Sequence, residues 1–207
     1  MELETTLSQT IRTAGSNSDY DSACKRLLSE KIILAWIMKN CLEEYRECSI
    51  SEIIEKYIEG EPQVAEVPVL PDQTNPSLIK GERTEDKTIT EGTITYDIRF
   101  AATAPKSGEL IRLIINVEAQ NNFYPGYPLL KRSIYYCSRM ISAQYGTVFS
   151  SAQYDKIRKV YSIWICTQPS DGFENTLTRY SIKPEQLIGE AQEETENYDL
   201  MSVVMIV

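Results

Sequence analysis

Histidine is absent from this chain of 207 residues. That gap removes the Ser-His-Asp triad, the Cys-His dyad, any imidazole general base and every zinc site that needs imidazole. Whatever chemistry the chain carries must use carboxylates, lysine, thiols, hydroxyls or a hard metal. Long apolar runs are missing too: none approaches the roughly 20 residues needed to cross a bilayer. The opening Met-Glu-Leu-Glu is not the basic segment and apolar run of a secretory signal. We therefore expect a cytoplasmic protein with no membrane partner. Paired cysteine motifs are lacking as well. Cys24, Cys41, Cys48, Cys137 and Cys166 are odd in number, widely spaced and mostly set in apolar runs, which reads as reduced, buried thiols.

What is present is ordinary for a globular chain: 42% hydrophobic and 25% charged residues, enough apolar matter for one self-sufficient domain. We read residues 1–20 as a flexible leader and 21–207 as a single domain, with no internal repeat. The net charge of −9 argues against a nucleic-acid partner for the molecule taken whole. Its distribution is uneven. Residues 131–183 hold eight basic and three acidic side chains, a local charge of +5, while residues 184–207 hold six acidic and no basic ones. By itself a basic stretch is often only a solvated face.

Leu27, Leu28, Ile32, Leu34, Ala35, Met38, Cys41 and Leu42 recur at helical spacing and predict one long helix from Cys24, capped by Asp21 or Ser22. Ser49 with Glu52 has the capping-box spacing, predicting a short helix over 51–58 that stops at Gly60. Prolines at 62, 68, 71 and 76 make 61–77 a connection holding at most a short strand. From 93 to 102, Ile94, Tyr96, Ile98 and Phe100 alternate with polar residues as in a strand with one buried face. Leu110–Gln120 repeats the pattern after a turn at 105–108, so the two should form an antiparallel hairpin. Pro128 predicts the first turn of a helix running to Tyr145 and stopped at Gly146. Tyr127, Leu130, Ile134, Cys137 and Ile141 would line one of its faces, and Arg132, Tyr135, Arg139 and Ser142 another. Val160–Cys166 and Met201–Val207 read as strands, the chain ending inside the last, as in a truncated C-terminus. Strand, helix, strand in this order favours a mixed sheet. Trp36 and Trp164 lie in apolar runs and are expected in the core.

Glu118 and Gln120 are two apart on a strand and share a face, and Asp97 lies on the polar face of the partner strand. This brings two carboxylates together. Mg²⁺ and Mn²⁺ take oxygen ligands and use one or two carboxylates with waters and a substrate phosphate. Such a metal makes histidine unnecessary for phosphoryl chemistry. An Asp and a Glu on the exposed face of a hairpin are, on that observation alone, ordinarily just solvated.

The strings Y-D-I-R-F (96–100), I-I-N-V-E-A-Q (114–120), F-Y-P-G-Y-P-L-L-K-R-S-I-Y-Y (123–136) and V-Y-S-I-W-I-C (160–166) together closely resemble the PD-(D/E)xK nuclease superfamily. The nearest branch is the transposase-like, recombination-promoting nuclease group of bacteria, and the similarity extends over about 24–183. The resemblance implies an α/β, restriction-endonuclease-like core, a mixed β-sheet flanked by helices in αβββαβ order. It implies a metal-dependent DNA endonuclease with Asp97 and Glu118 as ligands of Mg²⁺ or Mn²⁺ and Gln120 at the superfamily's lysine position. Glutamine can hydrogen-bond water but brings no charge, so the alternative is a catalytically weak or inactive nuclease-fold module that binds DNA or partners. The superfamily often adds an acid from the first core helix. Glu30 lies on the corresponding helix, though a surface glutamate is an equal reading. Arg132 with Tyr135 or Tyr136 falls where the family presents groups to the scissile phosphate. Basic charge thus lies beside the metal site, which makes Lys131, Arg132, Arg139, Lys156, Arg158 and Lys159 candidate phosphate contacts. DNA is the implied partner, with self-association left open.

Overall fold

β-branched and aromatic residues gather in the second half of the chain. The computed structural model, which describes residues 17–64, 85–88, 92–105, 110–169 and 171–207, joins them into one mixed sheet. In chain order the strands are β1 (Ile58–Val64), β2 (Glu85–Thr88), β3 (Gly92–Thr95), β4 (Ile98–Pro105), β5 (Leu110–Asn122), β6 (Val160–Gln168), β7 (Leu177–Ser181) and β8 (Met201–Ile206). β2 and β3 pair with each other; the other six lie in the order β1-β4-β5-β6-β8-β7. β5–β6 and β6–β8 are parallel and the remaining pairs antiparallel. A strand covered on both faces needs a nearly continuous apolar run, and β6 has one: every residue from Val160 to Trp164 is buried.

Helices cover both faces. They are α1 (Asn17–Leu28), α2 (Lys31–Cys41), α3 (Ile50–Glu52, continuing as a π-wound turn over Ile53–Tyr57) and α4 (Leu129–Ser142). On one face Ile98, Phe100, Ile115, Val117, Tyr161 and Ile163 pack with Leu34, Ala35 and Met38 of α2, Tyr45, and Ile53. On the other, Val160, Trp164, Val203 and Met205 pack with Leu129, Tyr136, Cys137 and Met140 of α4. The fold is α/β, with a mixed six-stranded sheet between helices, as expected. No helix among the described residues is long and apolar enough to cross a membrane.

Several expectations are corrected. The long first helix is two: Glu30 is extended (φ −64, ψ 125) and caps α2, while the Ser29 hydroxyl donates back to the Arg26 carbonyl at 2.7 Å and competes with continued helix. α1 already begins at Asn17, within the stretch read as leader; residues 1–16 lie outside the described ones. The Ser49/Glu52 capping box forms, but Gly60 (φ 69) does not end that helix. It belongs to β1, beside a shift of register between Glu59 and Gln63. The expected strand over 93–102 is split, because 92–95 turn away to pair with β2. β4 is buried on both faces, Arg99 and Thr103 included. The buried residues of α4 are Leu129, Ser133, Tyr136, Cys137, Arg139 and Met140, and Ile134 points out. Trp164 is in the core as expected, but Trp36 is 54% exposed. Cys48, Cys137 and Cys166 are buried and all five thiols are free.

Candidate functional site

The register of β4 on β5 pairs Ile98 with Val117, so one step further Asp97 faces Glu118. The ladder changes character here. The Asp97 N–H donates to Glu118 Oε1 at 3.0 Å, and the Ala119 N–H donates to Asp97 Oδ2 at 3.0 Å. Each carboxylate is thus held by the main chain of the opposite strand. Because Ile115 and Val117 point into the α2-side core, the alternation of β5 turns Glu118 and Gln120 to the α4 side. Glu118 is only 3% exposed, and Gln120 is half-buried.

A buried carboxylate pair repels itself unless a cation is near. One is supplied by α1: Lys25 Nζ lies 3.1 Å from Asp97 Oδ1, with 15% and 17% of the two side chains exposed. Sequence reading missed Lys25. A single basic residue in an amphipathic helix has no pattern that marks it, and the ion pair links segments far apart in the chain. Glu30, expected near the carboxylates, is exposed at the α1–α2 junction, in the N-cap position of α2.

α4 supplies the other wall. The β5–α4 connection turns through Gly126, whose φ of 94 is a conformation that favours glycine, and Pro128 then caps the helix. The Arg132 guanidinium donates to the Tyr136 hydroxyl from Nε at 3.1 Å and Nη2 at 2.7 Å, and to the Tyr127 hydroxyl at 3.3 Å. It lies over the rings of Tyr136 and Trp164, 5.1 and 5.2 Å from their centroids. Burial alone would lower the Arg132 pKa, but these phenol contacts leave it raised, so the group is a fixed cation. Burial pushes the Tyr136 phenol up against the opposing effect of Arg132, and the charges of Glu118 and Asp97 push it further.

The other expected contacts divide. Lys131 and Tyr135 are exposed on α4. Tyr136 is buried, and its hydroxyl accepts from Arg132. Arg139 is 2% exposed and donates to the Tyr135 hydroxyl at 3.2 Å, so it is no open phosphate contact. Its place on the inner side follows from the rotated face of α4. Lys156 is exposed and Arg158 half-buried. Lys159 is fastened to Asp199 at 2.7 Å and Glu44 at 3.1 Å, and Glu44 also accepts from the Tyr161 hydroxyl. That lysine ties the sheet to the turn after α2 and is spent on structure.

Among the described residues no group of three or more His, Cys, Asp or Glu side chains could hold a metal ion. The donors on offer are the oxygens of Asp97 and Glu118, an all-oxygen set of the kind hard divalent ions take together with water. No protein-family model matches the chain, and searches of curated proteins and of solved structures give no significant match.

Proposed function

We propose that this chain is a divalent-cation-dependent DNA endonuclease of the PD-(D/E)xK type, related to the transposase-like, recombination-promoting nucleases its motifs resemble. The observation that carries the reading is the braced pair of Asp97 and Glu118 at the end of the β4–β5 ladder. Burying two facing carboxylates is costly without a cation, and their fixed geometry suits them to hold one. When bound, Mg²⁺ or Mn²⁺ would polarise a phosphodiester and lower the pKa of a water. Asp97 and Glu118 would hold the ion. Gln120, on the face of Glu118, would orient the attacking water through its carboxamide. Arg132, with its planar fork fixed by Tyr127 and Tyr136, would face a non-bridging phosphate oxygen, and Lys131 would contact the DNA backbone without reading sequence.

The test is plasmid nicking in Mg²⁺ or Mn²⁺ by the wild type beside Asp97→Ala. Cleavage by the first and none by the second is expected; a wild type that cleaves no DNA in either ion rejects the reading. A second reading, a nuclease fold kept for binding DNA or a partner without turnover, draws on the Lys25–Asp97 ion pair and on Gln120. An idle site would keep an ammonium against its acid and would have no use for a charged group at 120. That reading predicts DNA binding with no divalent-ion affinity above background.

A further inference from the structure

Gln120 brings no charge to the face it shares with Glu118, yet an ammonium is paired with Asp97, the acid that faces Glu118. Lys25 Nζ is 3.1 Å from Asp97 Oδ1 in a largely buried pair. Asp97 is the acid whose other oxygen, Oδ2, is already held by the Ala119 N–H, so Lys25 and the main chain engage different oxygens of the carboxylate. Taking an ammonium and a carboxylate out of water is unfavourable unless their attraction repays it. A long, flexible four-carbon stem can also move its charge by several ångströms, which a guanidinium held over aromatic rings cannot. Arg132 is such a held group, fixed over Tyr136 and Trp164. Lys25 is therefore a cation of the site whose stem is flexible enough to carry its charge elsewhere.

We propose that Lys25 is the charged partner of the reaction that Gln120 does not supply: its ammonium neutralises Asp97 until a divalent ion binds, then turns to the phosphate. This rests on the nuclease reading above. In the step it serves, water oxygen forms a bond to phosphorus and the phosphorus–ester oxygen bond breaks. The departing oxygen takes a proton from solvent, and the proton lost by the water goes to solvent. Lys25 stays protonated throughout and acts only through its charge, on the oxygens where negative charge grows.

Two effects of opposite sign follow from this single group, and a purely structural lysine would produce neither combination. In Lys25→Met the stem is kept and the competitor for Asp97 is gone, so Mn²⁺ affinity measured by calorimetry should tighten, by roughly tenfold. Plasmid cleavage by the same variant should fall by about 10², the typical worth of one group stabilising transition-state charge. Lys25→Met/Gln120→Lys should regain most of the lost cleavage, since the charge returns from β5. Lys25→Arg keeps the ion pair and the charge and should cleave within about tenfold of wild type; it also carries the test if Lys25→Met does not fold. Unchanged cleavage or unchanged Mn²⁺ affinity in folded Lys25→Met overturns the proposal, as does failure of Gln120→Lys to rescue it. If Lys25→Met does not fold, loss of cleavage in folded Lys25→Arg overturns it. A wild type that cleaves nothing instead removes the nuclease reading, and the role of Lys25 in cleavage falls with it. The calorimetric arm then still decides whether the ammonium competes for Asp97.

Discussion

Replacing Glu118 by glutamine and by alanine separates what this side chain does for the fold from what it would do for a bound ion. Glu118 is buried, stands opposite the like-charged Asp97, and accepts the Asp97 N–H at 3.0 Å. Glutamine keeps an oxygen on the same stem for that N–H and removes one of two repelling charges. Alanine removes the charge and the acceptor together. A hydrogen bond to a charged group contributes about 1.5–3 kcal/mol, and a buried donor left unmet costs about 1–3 kcal/mol, so we take roughly 2–3 kcal/mol as the loss in Glu118→Ala. At about 2–4 °C per kcal/mol for a chain of this size, Tm should fall by roughly 4–12 °C. Glu118→Gln should melt within about 2 °C of wild type. The ion gives the second half of the test. At a free concentration of about 100 Kd it adds about 2.7 kcal/mol to a folded state that alone binds it. Wild type should then gain roughly 5–11 °C in Mn²⁺, and both variants should lose that gain. The assay is thermal melting by near-ultraviolet circular dichroism with and without Mn²⁺. If Glu118→Gln melts as low as Glu118→Ala, the carboxylate charge is needed by the fold; if all three proteins gain equally from Mn²⁺, the ion binds elsewhere. Either result refutes the reasoning.

Gln120→Ala should lower cleavage by leaving the water unheld, while Gln120→Lys should raise it by up to about 10² by adding a charge beside the phosphate; equal rates in plasmid nicking would dismiss Gln120 from the chemistry. Arg132→Gln should weaken binding to every DNA sequence and reduce the log-log salt slope by about one. Arg139→Gln, by contrast, should lower Tm and leave the slope of folded protein unchanged, because its guanidinium is buried; a slope lost at Arg139 and kept at Arg132 would reverse the assignment. Burial pushes the Cys137 thiol up to about 12 and those of Cys41 and Cys166 up to about 11, and raises the phenols of Tyr45 and Tyr161 as well. Folded values above unfolded ones mean that these groups favour the fold at lower pH and lose that contribution as pH climbs toward the folded values. Urea midpoints should therefore start to decline near the ordinary thiol pKa of 9.0; midpoints that rise above that pH would contradict the burial of these groups.

Much of this architecture was legible because hydrophobic periodicity carries it. Ile115 and Val117 on one side of β5, and the unbroken apolar run of β6, determine both sheet faces, and that alternation alone puts Glu118 beside Gln120. The facing of Asp97 and Glu118 followed from pairing the two strands. What was not legible depends on competition that no period records. The helix break at Ser29 is a local hydrogen bond winning over propensity. The rotation of α4 that buries Arg139 goes with a packing face, Leu129, Tyr136, Cys137 and Met140 on Trp164 and Met205, that no sequence period marks. β7 has little apolar alternation because all but its last residue are exposed, and it is a strand only through its pairing with β8. Trp36 was assigned to the core by its neighbours in sequence, yet it falls on the outer side of α2. Lys25 was invisible for the same reason: its meaning lies in a partner far along the chain, just before β4.

The shift of register in β1 has a consequence for how this protein behaves in company. An open sheet ends in two rows of main-chain groups able to recruit another strand. At the β1 border, Gly60 and Pro62 fall within the irregular stretch between Glu59 and Gln63, and proline has no N–H to offer an incoming chain. At the other border β7 is five residues long and carries Arg179, which is paired with Glu43. Both margins are thus poor templates for strand addition, one by distortion and the other by brevity and charge. Growth of the six-stranded sheet by strand addition is discouraged at both of its borders.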